Sequence, residues 1–255
     1  MIWSSDVRSI TSETGSGAIL YDPRLLDAPP PSLFDPGELT TRGWLDGQAD
    51  GRGTTWFFTY RGMAWVLRHY RRGGLVARLV NDLYLGLRPE SSRPFREWRL
   101  LAELHQRGLP VPRPVAAAYW RCGCAYRGDL ITTRLFSARP LADCLRLKPL
   151  SSKTWRQVGM TIRRFHNHGV YHADMNARNI LIDGEGHVFL IDFDRCRIRP
   201  GSRWKGATVQ RLLRSLRKIA STTPGLYDHE EGWRELLAGY ACAENPGRNH
   251  AENDF

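Results

Sequence analysis

"VYHADMNARNILIDGEGHVFLIDFD", residues 170–194, is the stretch on which the reading of the fold turns. "NILID" and "HVFLID" have the length and apolar, β-branched content of short strands, and "GEG" between them supplies a turn, so the segment predicts a β-hairpin. The hairpin gathers three oxygen-bearing side chains: Asp174 and Asn179 lie just before its first strand, and Asp192 closes its second. Read singly, each of these would cap a turn, as Asp and Asn commonly do. Together, with His172 ahead of Asp174 and Phe193 after Asp192, they form a set suited to phosphoryl transfer. That reaction is mostly positioning and neutralisation of charge: hard oxygen ligands hold Mg²⁺ on the phosphates of ATP, and a carboxylate orients the attacking hydroxyl. Asn179 and Asp192 suit the metal, Asp174 suits the hydroxyl as its base, and His172 reads as a structural brace of the loop.

Outward from the hairpin, "TWRQVGMTIRRFHNHG" predicts an amphipathic helix with Val158, Ile162 and Phe165 inward, ended by Gly169. "VQRLLRSLRKI" repeats the helical period through Val209, Leu212, Leu213 and Leu216, and "EEGWRELLAGY" predicts a last helix. The other half of the chain reads differently. Residues 43–60 predict strand, Gly-rich turn, strand, with Gly47, Gly51 and Gly53 near the turn, and "GMAWVLRHY" a third strand. A helix is predicted over "GGLVARLVNDLYLGL", with Leu75, Leu79, Val80 and Leu83 on one face, and a second from Pro94 to Gly108. Strands follow at Val115–Trp120 and Leu130–Phe136. Residues 1–38, rich in Pro, Ser, Gly and Asp, read as an irregular lead-in, and residues 246–255 as a polar tail.

These elements predict an α+β, bilobal fold: a small antiparallel sheet with helices over residues 39–136 and a mainly helical lobe over 137–245. The 255 residues suffice for such a core. Five cysteines, an odd number, and an N-terminus without a signal-peptide pattern fit a reducing compartment. Cys122 and Cys124, one residue apart with no second pair to match, read as flanking a hairpin turn at Gly123 rather than as half a metal site. No apolar run approaches the roughly 20 residues needed to span a bilayer. The net charge of +11 calls for an anionic partner, and residues 195–218 contain nine Arg or Lys and no acidic residue. A solvated face is the plain reading of such a run; its place just after Asp192 points instead to an anionic acceptor or an acidic membrane surface.

The loop "HADMNARN" and the "DFD" that follows resemble the protein-kinase-like superfamily, with its H-x-D-x-x-x-x-N loop and D-F-G metal site. Asp194 stands where the usual Gly would be, and no A-P-E segment follows, so a conventional regulated protein kinase is not implied. The resemblance puts Arg68 where the superfamily usually has Lys, on the nucleotide phosphates, with Glu97 as its ion-pair partner and Glu103 as competitor. Gly47, Gly51 and Gly53 would let backbone N–H groups approach the phosphates, although without a strict G-x-G-x-x-G an ordinary hairpin turn explains them nearly as well.

Across residues 51–219, "GRGTTWF", "VLRHYRRGG", "REWRLLAEL", "GLPVPRPVAA", "YHADMNARNILID", "LIDFDRCRIR" and "RWKGATVQRLLRSLRK" resemble the lipopolysaccharide core kinase family, in particular its 3-deoxy-D-manno-octulosonic acid (Kdo) kinases. The resemblance implies ATP and Mg²⁺ as cofactors and a Kdo residue on a lipid A precursor as acceptor, phosphorylated on its 4-hydroxyl. It further implies peripheral attachment to the anionic cytoplasmic face of the inner membrane; no nucleic-acid partner is expected, since no recognised nucleic-acid motif accompanies the basic charge. Two alternatives stand beside it: a Rio-type serine protein kinase, whose loop is similar, and a non-catalytic basic module binding nucleic acid or membrane.

Overall fold

The computed structural model describes residues 6–12, 15–49, 55–70, 83–85, 88–222 and 229–242, and the chain divides into two compact units. The first comprises residues 1–108 and 112–134, the second residues 109–111 and 135–255.

The first unit is built on an antiparallel sheet of eight strands among the described residues. They are β1 (Asp6–Ser12), β2 (Gly15–Tyr21), β3 (Leu45–Ala49), β4 (Thr55–Tyr60), β5 (Met63–His69), β6 (Tyr84–Leu85), β7 (Pro114–Cys122) and β8 (Ala125–Thr133). Their order is β1-β2-β7-β8-β5-β4-β3, with β6 paired to β8. Side chains alternate across the pleat, which gives the sheet two buried faces. Trp65 and Leu67 of β5, Phe58 of β4 and Ile131 of β8 pack with Leu26, Leu33, Phe34 and Leu39 from the segment between β2 and β3, which holds α1 (Pro36–Thr41). Against the other face lies α2 (Arg93–Gln106), which buries Phe95, Trp98 and Leu101.

Three expectations are corrected here. Residues 1–38 are not an irregular lead-in: β1 and β2 form a hairpin, and β2 continues the sheet onto β7, burying Ala18, Ile19, Leu20 and Tyr21. Gly17 of β2 is required by contact, since a Cβ there would stand 2.7 Å from the Tyr119 carbonyl oxygen. The helix expected over residues 73–87 gives way at its end to β6, where Tyr84 packs on Tyr126 at 5.5 Å and Arg93 covers its ring at 4.7 Å. Leu75, Leu79 and Val80 lie outside the described residues, as does the tail 246–255. The strand expected at 130–136 begins earlier, at Ala125, because Gly123 turns the chain at φ 63° and sets Cys122 opposite Ala125.

The second unit is mainly helical: α3 (Leu141–Leu147), α4 (Ser152–Asn167), α5 (Arg203–Thr222) and α6 (His229–Cys242). Ser151 caps α4 by accepting the Thr154 amide at 3.2 Å. α4 and α6 touch backbone to backbone: a Cβ on Gly159 would meet the Leu236 carbonyl oxygen at 1.9 Å, and one on Gly239 the Arg156 carbonyl oxygen at 2.1 Å. Beside the helices are two small antiparallel sheets. One pairs β9 (Arg139–Pro140), β11 (Ile180–Ile182) and β12 (Val188–Leu190); the other pairs β10 (Val170–Tyr171) with β13 (Arg197–Ile198). The two loops with the candidate site run between these sheets, 172–179 from β10 to β11 and 191–196 from β12 to β13.

Candidate active site

The hairpin β11–β12 forms as the sequence predicts, with Ile180 opposite Leu190 and Ile182 opposite Val188. Its turn is held by Asp183, whose carboxylate accepts the Glu185 and His187 amides at 2.9 Å each. At its open end the Ile191 amide donates to the Asn179 carbonyl at 3.0 Å, which ties the two functional loops together.

His172 braces this junction. It is 2% exposed, and its Nε2 lies 3.0 Å from the Ile191 carbonyl, which fixes Nε2 as the protonated nitrogen. Burial, foremost, pushes the His172 imidazole below its ordinary pKa, so the ring is a neutral strut. Its edge meets Phe193 at 5.0 Å, and Phe193 stacks in turn on Phe165 of α4 at 5.9 Å. Phe193, 1% exposed, thereby anchors the segment that carries Asp192; burying such a ring is worth about 2–3 kcal/mol.

Asn179 is buried, and its Nδ2 donates to the Asp174 carbonyl at 2.8 Å. This bond fixes the direction of the amide and leaves Oδ1 without a hydrogen bond among the described residues. The Asp174 carboxylate is exposed and makes no hydrogen bond or ion pair among them, whereas its backbone is held by Asn179 and by Asn176 Nδ2 at 3.0 Å. Asp192 adopts a left-handed conformation at φ 64°, a strained placement for a residue with a side chain. Asp194 is not left-handed; Arg195, at φ 61°, is. The freedom of a glycine is therefore not drawn on at 194.

Asn179 and Asp192 fit Mg²⁺ in kind and number, because this ion is commonly held by one or two protein oxygens while phosphates and water complete its shell. Among the described residues no three His, Cys, Asp or Glu side chains cluster to hold a metal ion by themselves. The Oδ1 of Asn179, turned away from the bond that Nδ2 makes, is the donor such an ion would use.

In the first unit, Arg68 lies on the α2 face of the sheet because it alternates with Trp65 and Leu67, and it meets Glu97 there. Its Nη2 is 2.5 Å from Glu97 Oε2, and the Glu97 side chain is 2% exposed. Glu103 pairs instead with Arg107 one turn along the same helix. No sequence motif marks Tyr70, yet its hydroxyl donates to the same Glu97 oxygen and its ring lies under the Arg68 guanidinium at 4.9 Å. Burial, and then the Glu97 charge, raise the Tyr70 pKa well above the usual phenol range, so it stays a donor. Gly47 falls at a register shift in β3 with open space where its Cβ would be; Gly51 and Gly53 lie outside the described residues.

Two further supports went unread in the sequence. Cys196 accepts the Ala173 amide on its Sγ at 3.2 Å, and its thiol lies 3.8 and 3.7 Å from the Asp192 and Asp194 carbonyls. Ser215 of α5 accepts the Ala177 amide at 3.1 Å. Neither carries a local signal, since each acts across 23 residues or more.

A family model described as "Lipopolysaccharide kinase (Kdo/WaaP) family" matches residues 39–240. The 3-deoxy-D-manno-octulosonic acid kinase of Photobacterium profundum is 40% identical over 227 residues, covering 89% of this chain and 96% of that protein. The protein of the same name from Stenotrophomonas maltophilia is 42% identical over 234 residues, 91% and 93% of the two chains. That of Vibrio vulnificus is 38% identical over 226 residues, 89% and 95%. These relatives favour neither a Rio-type protein kinase nor a non-catalytic basic module, and they agree with a phosphotransferase that acts on a hydroxyl group. On the extent of these matches, the chain belongs to the lipopolysaccharide kinase (Kdo/WaaP) family.

Proposed function

We propose that the protein transfers the γ-phosphoryl group of ATP to the 4-hydroxyl of a Kdo residue on a lipid A precursor, at the cytoplasmic face of the inner membrane. The observation that carries this reading is the Asp174 carboxylate: exposed, unpaired among the described residues, and set on a backbone that Asn179 and Asn176 hold in place. Such a group can accept the proton of an attacking hydroxyl without first giving up a partner. Asn179 and Asp192 would hold Mg²⁺, which when bound neutralises phosphate charge. Arg68, held by Glu97 and Tyr70, would bind the nucleotide phosphates. Gly51 and Gly53 would lend backbone amides to the same phosphates. His172 and Phe193 keep the loops rigid, so the carboxylate is in position before substrate arrives.

The acceptor follows from the names of the relatives. The net charge of +11 supports work at an anionic bilayer surface, and among the described residues no helix is long and apolar enough to cross a membrane. The test is incubation with labelled ATP, Mg²⁺ and a Kdo-bearing lipid A precursor, alongside Asp174→Asn. Label on the lipid with the unaltered protein and a loss of at least about 10²-fold in the variant is the expected result. Near-normal turnover by Asp174→Asn would overturn the role of Asp174, and an unlabelled lipid would overturn the acceptor.

A further inference from the structure

The basic run 195–218 resolves into two parts of the second unit, β13 with its following loop and the exposed stripe of α5. None of its nine Arg and Lys side chains has a carboxylate partner among the described residues, although ion pairs are common elsewhere in the chain. Cations gathered without counter-charges repel one another, a cost that an anionic ligand removes.

The stripe exposes no large apolar side chain. Trp204, Val209, Leu212, Leu213, Leu216 and Ile219 of α5 are buried, which leaves Arg203, Gln210, Arg211, Arg214, Arg217 and Lys218 outside. A helix that dips into a bilayer carries large apolar residues beside its cations, and this one presents none. The stripe also adjoins the catalytic loop. Ser215, which holds the Ala177 amide, lies one turn from Arg211 on α5, and Arg211 is close enough to His172 for its charge to help keep that ring neutral.

At the other end is a recess of about 400 Å³ lined by residues 199–204. The Arg199 guanidinium rests on the Tyr171 ring at 4.9 Å, and that ring meets Trp204 edge-on at 5.6 Å. An arginine held this way loses less freedom when it takes up an anion. Arg203 and Arg211 are eight residues apart on one helix, about 12 Å along its axis.

We infer that β13 and α5 form the acceptor-recognition track. Arg211 takes an anionic group close to the hydroxyl being phosphorylated, and the recess at Arg199 and Arg203 takes a second, a phosphomonoester, farther along the same molecule. This rests on the acceptor reading given above: a sugar acid supplies the carboxylate and a phosphorylated lipid headgroup the phosphate.

The experiment measures turnover of a Kdo-bearing lipid A precursor in neutral detergent micelles, with and without its phosphates, by the full chain and by Arg211→Ala, Arg211→Lys and Arg199→Ala/Arg203→Ala. Calorimetric titration with the water-soluble, phosphorylated Kdo-bearing headgroup accompanies it. Arg211→Ala should raise the acceptor KM about tenfold with the KM for ATP unchanged, and Arg211→Lys should recover part of the loss. Arg199→Ala/Arg203→Ala should raise the KM for the phosphorylated acceptor and leave that for the dephosphorylated one alone. Unchanged acceptor KM in micelles, or a loss that appears only on vesicles containing phosphatidylglycerol, overturns the track and makes the stripe a membrane surface. If the unaltered protein binds the headgroup but labels no lipid, the reaction reading fails and the track stands; if it labels lipid while the variants match it, the track alone fails.

Discussion

Replacing Arg68 by Met should cost more stability than replacing Glu97 by Gln, although both changes break the same ion pair. The asymmetry comes from exposure: the Glu97 side chain is 2% exposed and that of Arg68 is 27%. Met fills much of the space of the arginine stem and leaves a carboxylate out of water with one cation fewer. Removing one member of a buried pair costs about 3–5 kcal/mol. The Tyr70 hydroxyl continues to donate to Glu97, which places the expectation near the lower end, about 3 kcal/mol. Gln keeps the shape of Glu97 and an oxygen for both donors, while Arg68 can turn its exposed edge toward water, so the cost should be about 1–1.5 kcal/mol. The double variant should fall short of the sum by about 1–2 kcal/mol, because the two residues share one interaction. Guanidinium unfolding followed by tryptophan fluorescence and circular dichroism measures all three. Equal costs, a larger cost for Glu97→Gln, or strict additivity would refute the argument from burial.

Gly159→Ala should destabilise by about 3 kcal/mol or more, since its Cβ would overlap the Leu236 carbonyl oxygen and force α4 from α6. Gly206→Ala, on an open face of α5, should be neutral or stabilise by up to about 1 kcal/mol, and thermal melts of the two variants should diverge accordingly. His166 is buried against Trp204 and Tyr240, and burial, then the charges of Lys205 and Arg163, push its pKa down to about 3. The unfolded chain takes up this proton near pH 6.5 and the folded one does not, so stability is full above about pH 6.5 and falls toward pH 3. From pH 7 to 5 the loss should be about 2 kcal/mol, and a His166→Gln protein should show a shallower slope in denaturation series across that range. Asn179→Ala should lower turnover sharply and loosen the loop by about 1 kcal/mol. Asn179→Asp restores an oxygen ligand but not the bond to the Asp174 carbonyl; Mg²⁺ titration of its activity should recover part of the loss.

Much of the second unit was legible in the sequence because its signals are local. The hairpin 180–190 follows from two short apolar runs and a "GEG" turn, and α4 and α5 follow from a 3.6-residue period that packing then uses as written. The first unit was read less fully. Residues 1–38, rich in Pro, Ser, Gly and Asp, look irregular, and the contact that holds residues 17–21 as a strand comes from β7, about a hundred residues away. Tyr84 looks helical in its window and pairs with Tyr126 across the sheet.

The sequence alone determined which residues are candidates for the chemistry: the spacing from His172 through Asp174 to Asn179 and the "DFD" after the second strand are fixed by covalent order, and so is the crowding of nine cations into residues 195–218. Only the tertiary structure decided how those residues are held. Glu97 rather than Glu103 meets Arg68 because the pleat of β5 and the turn of α2 bring those two faces together. Tyr70, Cys196 and Ser215 become supports through hydrogen bonds that close loops of tens of residues, and the cationic run becomes a stripe and a recess because α5 buries its apolar face. Local propensity cannot encode such contacts; they exist only once the chain has paid the entropy of closing those loops and burial has returned it.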